Sequence, residues 1–428
     1  MHNDTNGFTL RFEEFDLENG LHVILHRDAQ FPIVAVNLWY HVGSKNEREG
    51  KTGFAHLFEH MMFQGSANVA PNGHFDHVQR AGGTLNGSTS FDRTNYYETL
   101  PAHRLELGLW LEADRMRSLR LDQQTLDTQR SVVTEERRSR YDNQPYGTMY
   151  EALFSRAYKL APYRWPTIGS IADIAAASLE DVTAFHGMYY RPENASLCIA
   201  GDFEVAEARR LVEAHFGDIP NPSGAMYRPR VQEATQQFQV RDFVYDTIPL
   251  PAVITAMHIP SLNSDDFAAI EALSSILSSG ESSRLYRRMV YEERAAQAVM
   301  TFALGLELPG LLIFRGTAQP GRSAAELEGL FFDECAALLR DGVKEEEIGK
   351  AKNRLEASLL REASSVQSRA DMLNGYRVLS KDAALINSEL QRIRAVRADD
   401  VNRAAASYLA EGNATVLHFL PFPPETAS

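Results

Sequence analysis

The sequence predicts an α+β chain built from two similar halves, each with strands of a mostly antiparallel sheet packed against helices and related by internal duplication. Two observations carry this. Strand-like segments precede long helical ones in the first half, and the same plan repeats beyond Pro220-Asn221-Pro222-Ser223-Gly224, the clearest linker signal in the chain. The expected units are 1–220 and 239–428, joined by a linker over 221–238.

The elements follow in order. Leu21–Leu25 and Ile33–Tyr40 are rich in β-branched and aromatic residues and read as strands. A turn containing Gly50 and Gly53 leads into a compact helical stretch, Phe54–Phe63, and Thr84–Ser90 and Thr94–Thr99 read as two further strands. Leu105, Leu109, Glu112 and Met116 share one helical face; Leu126, Gln129, Val133 and Glu136 share another. Ala195–Ala200 is a strand, and Leu211–Phe216 is helical. In the second half Val253–Ile259 stands for the strand before the first helix and Phe267–Leu277 for that helix. Leu311–Gly316 is another strand, followed by helices over Ala324–Leu339 and Glu345–Arg361.

Composition narrows the function classes. With 428 residues, 44% hydrophobic and 23% charged, and only 27 Gly and 18 Pro, the chain is neither disordered nor collagen-like. A net charge of −14 argues against a nucleic-acid partner. Cys198 and Cys335 are too few and too far apart for a disulfide framework or a thiolate metal site, and read as small buried residues. The polar start, Met1 to Gly7, lacks the apolar run of a signal peptide, and no window approaches the roughly 20 apolar residues of a membrane span. As written the chain reads as cytoplasmic; a chain whose signal had been removed would be periplasmic.

The most informative segment is His56-Leu57-Phe58-Glu59-His60. Positions four apart on a helix lie within about 40° of each other, so the two imidazoles project from one face, as a zinc ion needs from two neutral nitrogens. Glu59 is placed to reach water at such an ion without ligating it, and the order H-x-x-E-H is the inverted form of the common zinc-protease motif. A surface ion-pair cluster is the competing reading. Phe54, Leu57, Phe58, Met61, Met62 and Phe63 weigh against it, since a buried helix with three titratable groups needs something to compensate them. The helix through Val132-Val133-Thr134-Glu135-Glu136 is the best source of a third ligand. Glu136 faces inward with Gln129, Val132 and Val133, while Glu135 points about 100° away. His74 and His77 form a rival pair with no second cluster to complete it, and read as helix-surface or core histidines.

With these motifs in view the sequence resembles the pitrilysin and mitochondrial-processing-peptidase family of inverted zinc metallopeptidases. The resemblance runs over Val42-Gly43-Ser44-Lys45-Asn46-Glu47, Gly53 through Ser66, Gly82 through Ser90, Tyr96-Tyr97 and Tyr190-Arg191-Pro192-Glu193-Asn194. It implies one Zn²⁺ per chain held in the first unit by His56, His60 and Glu136, the last 76 positions beyond His60 (136 minus 60), with Glu59 as general base. Seven positions before the third ligand the family usually carries a supporting acid; Gln129 stands there, able to hydrogen-bond but without charge. The resemblance also implies half of a clamshell, and a peptide substrate laid along the strand Thr84–Ser90, with Asn86, Gly87 and Ser88 as the contacting residues. An Arg and a Tyr seven residues later complete the site in such proteins. Their places fall here at Val290 or Tyr291 and at Gln297 or Ala298. A homologous partner chain supplying that pair in a heterodimer is the economical expectation, with Arg294 as a local substitute the weaker one. The second half, with Glu271–Leu277 where the metal helix would stand, is expected to bind no metal. The rival functions are a catalytically silent assembly subunit of the same fold and a hydrolase of non-peptide substrates.

Overall fold

The computed structural model describes residues 7–423. Its six-stranded sheet contains β1 (Glu13–Asp16), β2 (His22–Arg27), β3 (Ile33–Tyr40), β4 (Thr84–Thr89), β5 (Thr94–Pro101) and β6 (Ala195–Gly201), in the order β1-β2-β6-β3-β5-β4. A five-stranded sheet contains β7 (Val240–Asp246), β8 (Ala252–Ile259), β9 (Ala296–Leu304), β10 (Gly310–Ala318) and β11 (Ala414–Pro421), in the order β7-β11-β8-β10-β9.

The helices that matter for packing are α1 (Phe54–Met61), α2 (Gly73–Arg80), α3 (Leu105–Ser118), α4 (Gln123–Arg137), α5 (Met149–Ala157), α6 (Ile171–Ala176), α7 (Leu179–Tyr189), α8 (Val205–Phe216), α9 (Phe267–Ser278), α10 (Ala324–Asp341), α11 (Glu345–Glu362), α12 (Val366–Leu379), α13 (Ile386–Ala395) and α14 (Ala398–Tyr408). Among the described residues, no helix is long and apolar enough to cross a membrane.

The duplication is written in the pairing. β2 runs parallel to β6 and β7 parallel to β11, while β6–β3, β3–β5, β5–β4 and their counterparts β11–β8, β8–β10, β10–β9 are antiparallel. Both sheets are therefore mostly antiparallel, and α9 follows β8 as α1 follows β3. β1 is the extra strand of the first sheet, pairing with the free side of β2.

The packing units do not coincide with 1–220 and 239–428. One comprises the chain up to residue 137, 165–230 and 359–390; the other comprises 138–164, 231–358 and the remainder from 391. The reason lies in the strands. β3 and β6 are buried along almost their whole length rather than on alternate residues, which requires cover on both faces. In the first unit α1 and α3 cover one face, and Gly108 lets α3 approach Leu100 and Val36 closely. The other face is closed by α12, whose Asn374 donates to the Asn37 carbonyl at 2.9 Å and accepts from Ser196 Oγ at 2.8 Å. In the second unit α9, α10 and α14 share a core with alternate residues of β8. α5 lies on the opposite face, where His258 Nε2 meets the Ala157 carbonyl at 3.0 Å. Each sheet thus borrows one helix from the other half of the sequence. Cys198 and Cys335 are buried free thiols, in agreement with the sequence.

His74 on α2 is a core residue, 1% exposed, and burial drives its imidazole down to about 3. A histidine held neutral in the fold takes up a proton only on unfolding once the pH drops below about 6.5, so stability falls as pH falls through the window from 6.5 towards 3. Between pH 6.5 and 5 this one residue is expected to cost about 1.5 kcal/mol. Urea unfolding of His74→Leu across that range should show a correspondingly flatter pH dependence than the unsubstituted chain.

Candidate metal centre

α1 begins at Gly53, whose positive φ of 84° and lack of a side chain leave the first turn without a cap of its own. Glu47 supplies one from the preceding loop: its buried carboxylate accepts from Gly53 N at 2.9 Å and Ala55 N at 2.8 Å. Phe54, Leu57, Phe58 and Met61 fill the core, and this leaves His56, Glu59 and His60 on the remaining, half-buried side.

The two imidazoles stand 4.8 Å apart, centroid to centroid, at 71°. Glu136 on α4 joins them: its Oε2 lies 3.2 Å from His60 Nε2 and 3.7 Å from His56 Nε2. One donor atom from each of the three side chains falls within 4.8 Å of the other two, and no other such His/Cys/Asp/Glu group occurs among the described residues. Two ligand atoms bonded at about 2.0–2.1 Å to a tetrahedral ion lie roughly 3.3–3.4 Å apart, so the separations measured here suit a zinc-sized ion with an N,N,O donor set. His74 and His77 stand apart from this group. His74 is in the core, and His77 packs edge-on against Trp110.

The helical stripe of α4 differs in one detail from expectation. Leu126, Gln129 and Val133 are buried, but Val132 is 44% exposed. At 100° per residue the buried arc centres between Gln129 and Val133. Glu136 sits on its margin and Val132 beyond it. That marginal position puts the carboxylate at the core's surface rather than inside it. Glu135 is exposed on the far side, and Gln129 is buried on the inward face.

Glu59 points to β4, where Thr89 Oγ1 donates to its Oε2 at 2.6 Å. Burial raises its carboxyl above the ordinary range, against the pull of that bond and of His60. Gly87 explains how strand and carboxylate come so close. A Cβ there would stand 3.2 Å from Glu59 Cγ and 3.2 Å from the Tyr96 ring, which the Arg115 guanidinium backs at 4.3 Å.

β4 ends the sheet. Ser90 N donates to the Arg93 carbonyl at 2.8 Å, which makes Ser88–Asn95 a bonded pair and Gly87–Tyr96 an unbonded one. Leu85, Gly87 and Thr89 therefore turn their N–H and C=O groups to the open edge, and the Asn86 side-chain oxygen accepts the Gly87 N–H at 2.9 Å. Ser88 faces the opposite side of the sheet, its Oγ donating to Asn95 Oδ1 at 2.7 Å.

Tyr291 is 75% exposed, and Arg294, Gln297 and Ala298 are exposed as well. Reading the sequence assigned no role to Glu47, Thr89 or Arg93. For Glu47 a signal existed, a helix starting at glycine with an acid a few residues upstream; for the others the contact is between segments and leaves no local trace.

Residues 22–170 match the family described as insulinase (peptidase family M16), and residues 176–355 match the peptidase M16 inactive domain. A zinc protease of Helicobacter pylori, PqqE, is 31% identical over 415 residues, spanning 96% of this chain and 93% of its own length. The mitochondrial-processing peptidase subunit beta of Blastocladiella emersonii is 24% identical over 412 residues, 94% of this chain and 87% of its own. The crystal structure of a Helicobacter pylori protease superimposes with a TM-score of 0.93 at 29% identity, covering 97% of this chain and 100% of that one.

Removing the cap tests how α1 is held. Glu47→Ala is expected to lower stability by about 1–2 kcal/mol, with Glu47→Gln intermediate, read by urea unfolding.

Proposed function

Because the chain belongs to peptidase family M16, the insulinase family, we propose that it is a zinc-dependent endopeptidase acting on extended peptides, the zinc-bearing member of a heterodimer. The observation that carries this is the convergence of His56, His60 and Glu136 beside Glu59 and an open strand edge. His56, His60 and Glu136 would hold one zinc ion, with the uncharged Gln129 amide buried on the same face of α4 as Glu136. When bound, zinc supplies Lewis-acid polarisation of a carbonyl and makes water a competent nucleophile near neutral pH.

The chain's own residues do the rest. The outward N–H and C=O groups of Leu85, Gly87 and Thr89 take an extended peptide as one more strand, the peptide displacing the Asn86 side-chain oxygen from the Gly87 N–H, with Asn86 and Ser88 beside it. Such an edge selects extended chains over small molecules, which argues against a non-peptide substrate. Glu59, as the carboxylate whose proton affinity burial raises, accepts a proton from the attacking water and returns it to the leaving amine. Thr89 fixes which carboxylate oxygen faces the strand.

Glu59→Gln should lower kcat for an unstructured peptide by about 10²–10⁴ while zinc content, measured by atomic absorption, stays at one per chain. A chain that loses its metal together with activity would place Glu59 among the ligands.

No arginine stands at 290 or 291 and no tyrosine at 297 or 298; Tyr291, Arg294, Gln297 and Ala298 are exposed. Loss of an oxyanion donor typically costs about 10²–10³ in rate. Adding the homologous partner that carries the pair is expected to raise peptide cleavage by that order. Equal rates with and without it would exclude the heterodimer, and inactivity of zinc-loaded chain with every homologous partner would favour the silent assembly subunit.

A further inference from the structure

The reverse face of the β4–β5 hairpin carries a buried polar network centred on Arg93, a residue given no role above. Arg93 closes the turn, but its guanidinium does not bond within the turn. It folds back along the strands, donating to the Ser88 carbonyl at 2.9 Å and to Asn95 Oδ1 at 3.2 Å, and bonding the Ser88 hydroxyl as well. Its flat face lies over the Trp39 ring at 5.0 Å. Behind it stands Asp371 on α12. One oxygen of that carboxylate, Oδ1, accepts from Asn37 Nδ2 at 3.0 Å, Trp39 Nε1 at 2.9 Å and Asn95 Nδ2 at 2.9 Å. Asn37, Trp39 and Asn95 are all nearly fully buried. Asp371 lies beyond the segments matched by the family patterns, which end at residue 355.

Ser88 sits between Gly87 and Thr89, the residues that face Glu59 and turn their backbone groups outward. An edge strand is paired on one side only, and a glycine within it adds backbone freedom. Its register needs a second restraint. A turn can be closed by many polar residues, whereas a cation whose one nitrogen, Nη1, reaches strand carbonyl, strand hydroxyl and the neighbouring strand's amide at once, with its plane laid on an indole, is a device for fixing a strand. We propose that Arg93, anchored by Asp371 through Trp39 and Asn95, is a positioning residue that holds Gly87 and Thr89 at the register an incoming peptide requires. This rests on the reading of β4 as the peptide-receiving strand.

The role predicts a binding effect. In the zinc-loaded Glu59→Gln chain, the affinity for a fluorescein-labelled unstructured peptide, measured by anisotropy, is expected to fall about tenfold on adding R93Q. R93K keeps the cation but not the planar group that lies on Trp39, and is expected to give an intermediate loss of about threefold; D371N should act in the same direction. With Glu59 intact, R93Q should raise KM with kcat within about twofold. If R93Q does not fold, R93K carries the same comparison. Unchanged affinity in the Arg93 variants, with only the melting temperature lowered, would reduce Arg93 to a structural residue and overturn the proposal, as would a fall in kcat at constant KM. Absence of peptide binding in the Glu59→Gln chain itself would instead remove the peptidase reading, and this proposal with it.

Discussion

The arrangement depends on one approach, that of the Glu136 carboxylate to the imidazoles of His56 and His60 across two helices. Three titratable groups at the edge of an apolar wall are costly to desolvate, and the cost is offset only if they compensate one another or share an ion. That requirement explains the architecture around them. α1 must be rigid, so a buried carboxylate caps its first turn. α4 must present Glu136 at the margin of its buried stripe, since a fully buried position would exclude an ion and a fully exposed one would lose the partners.

The edge strand is the second half of the same device. Gly87 lets β4 lie against Glu59, and Thr89 fixes the carboxylate's orientation. One face of the hairpin thus meets Glu59 while the other meets a network of amides, an indole and an arginine. The alternation of a pleated strand separates the two: Gly87 and Thr89 face Glu59, while Ser88 between them faces the network.

The duplicated sheets show how a shared plan serves unequal ends. The strand order and the parallel pair recur, and α9 takes the place of α1. Of these two helices only α1 carries imidazoles; the buried face of α9 is lined by Ala, Ile, Leu and Ser. The exchange of α5 and α12 between sequence halves covers the back of each sheet, so Asp371 comes to stand behind residues more than 270 positions earlier in the chain.

Much was legible in the residues alone. The strands from His22 to Tyr40, α1, the β4–β5 hairpin and the inward stripe through Gln129 and Val133 follow from periodicity, because each is set by contacts within a few residues or by one buried face. The H-x-x-E-H spacing places two imidazoles on one side of a helix whatever surrounds it. The rest was decided by tertiary structure. β1, β7 and β11 lie at or near sheet edges or at the chain's end, α12 has mixed polarity, and neither pattern says which sheet they join. The exposure of Val132, the cap from Glu47 and the placement of Asp371 arise only when segments distant in sequence pack together. A local pattern records which face of an element is apolar, but not what lies against that face.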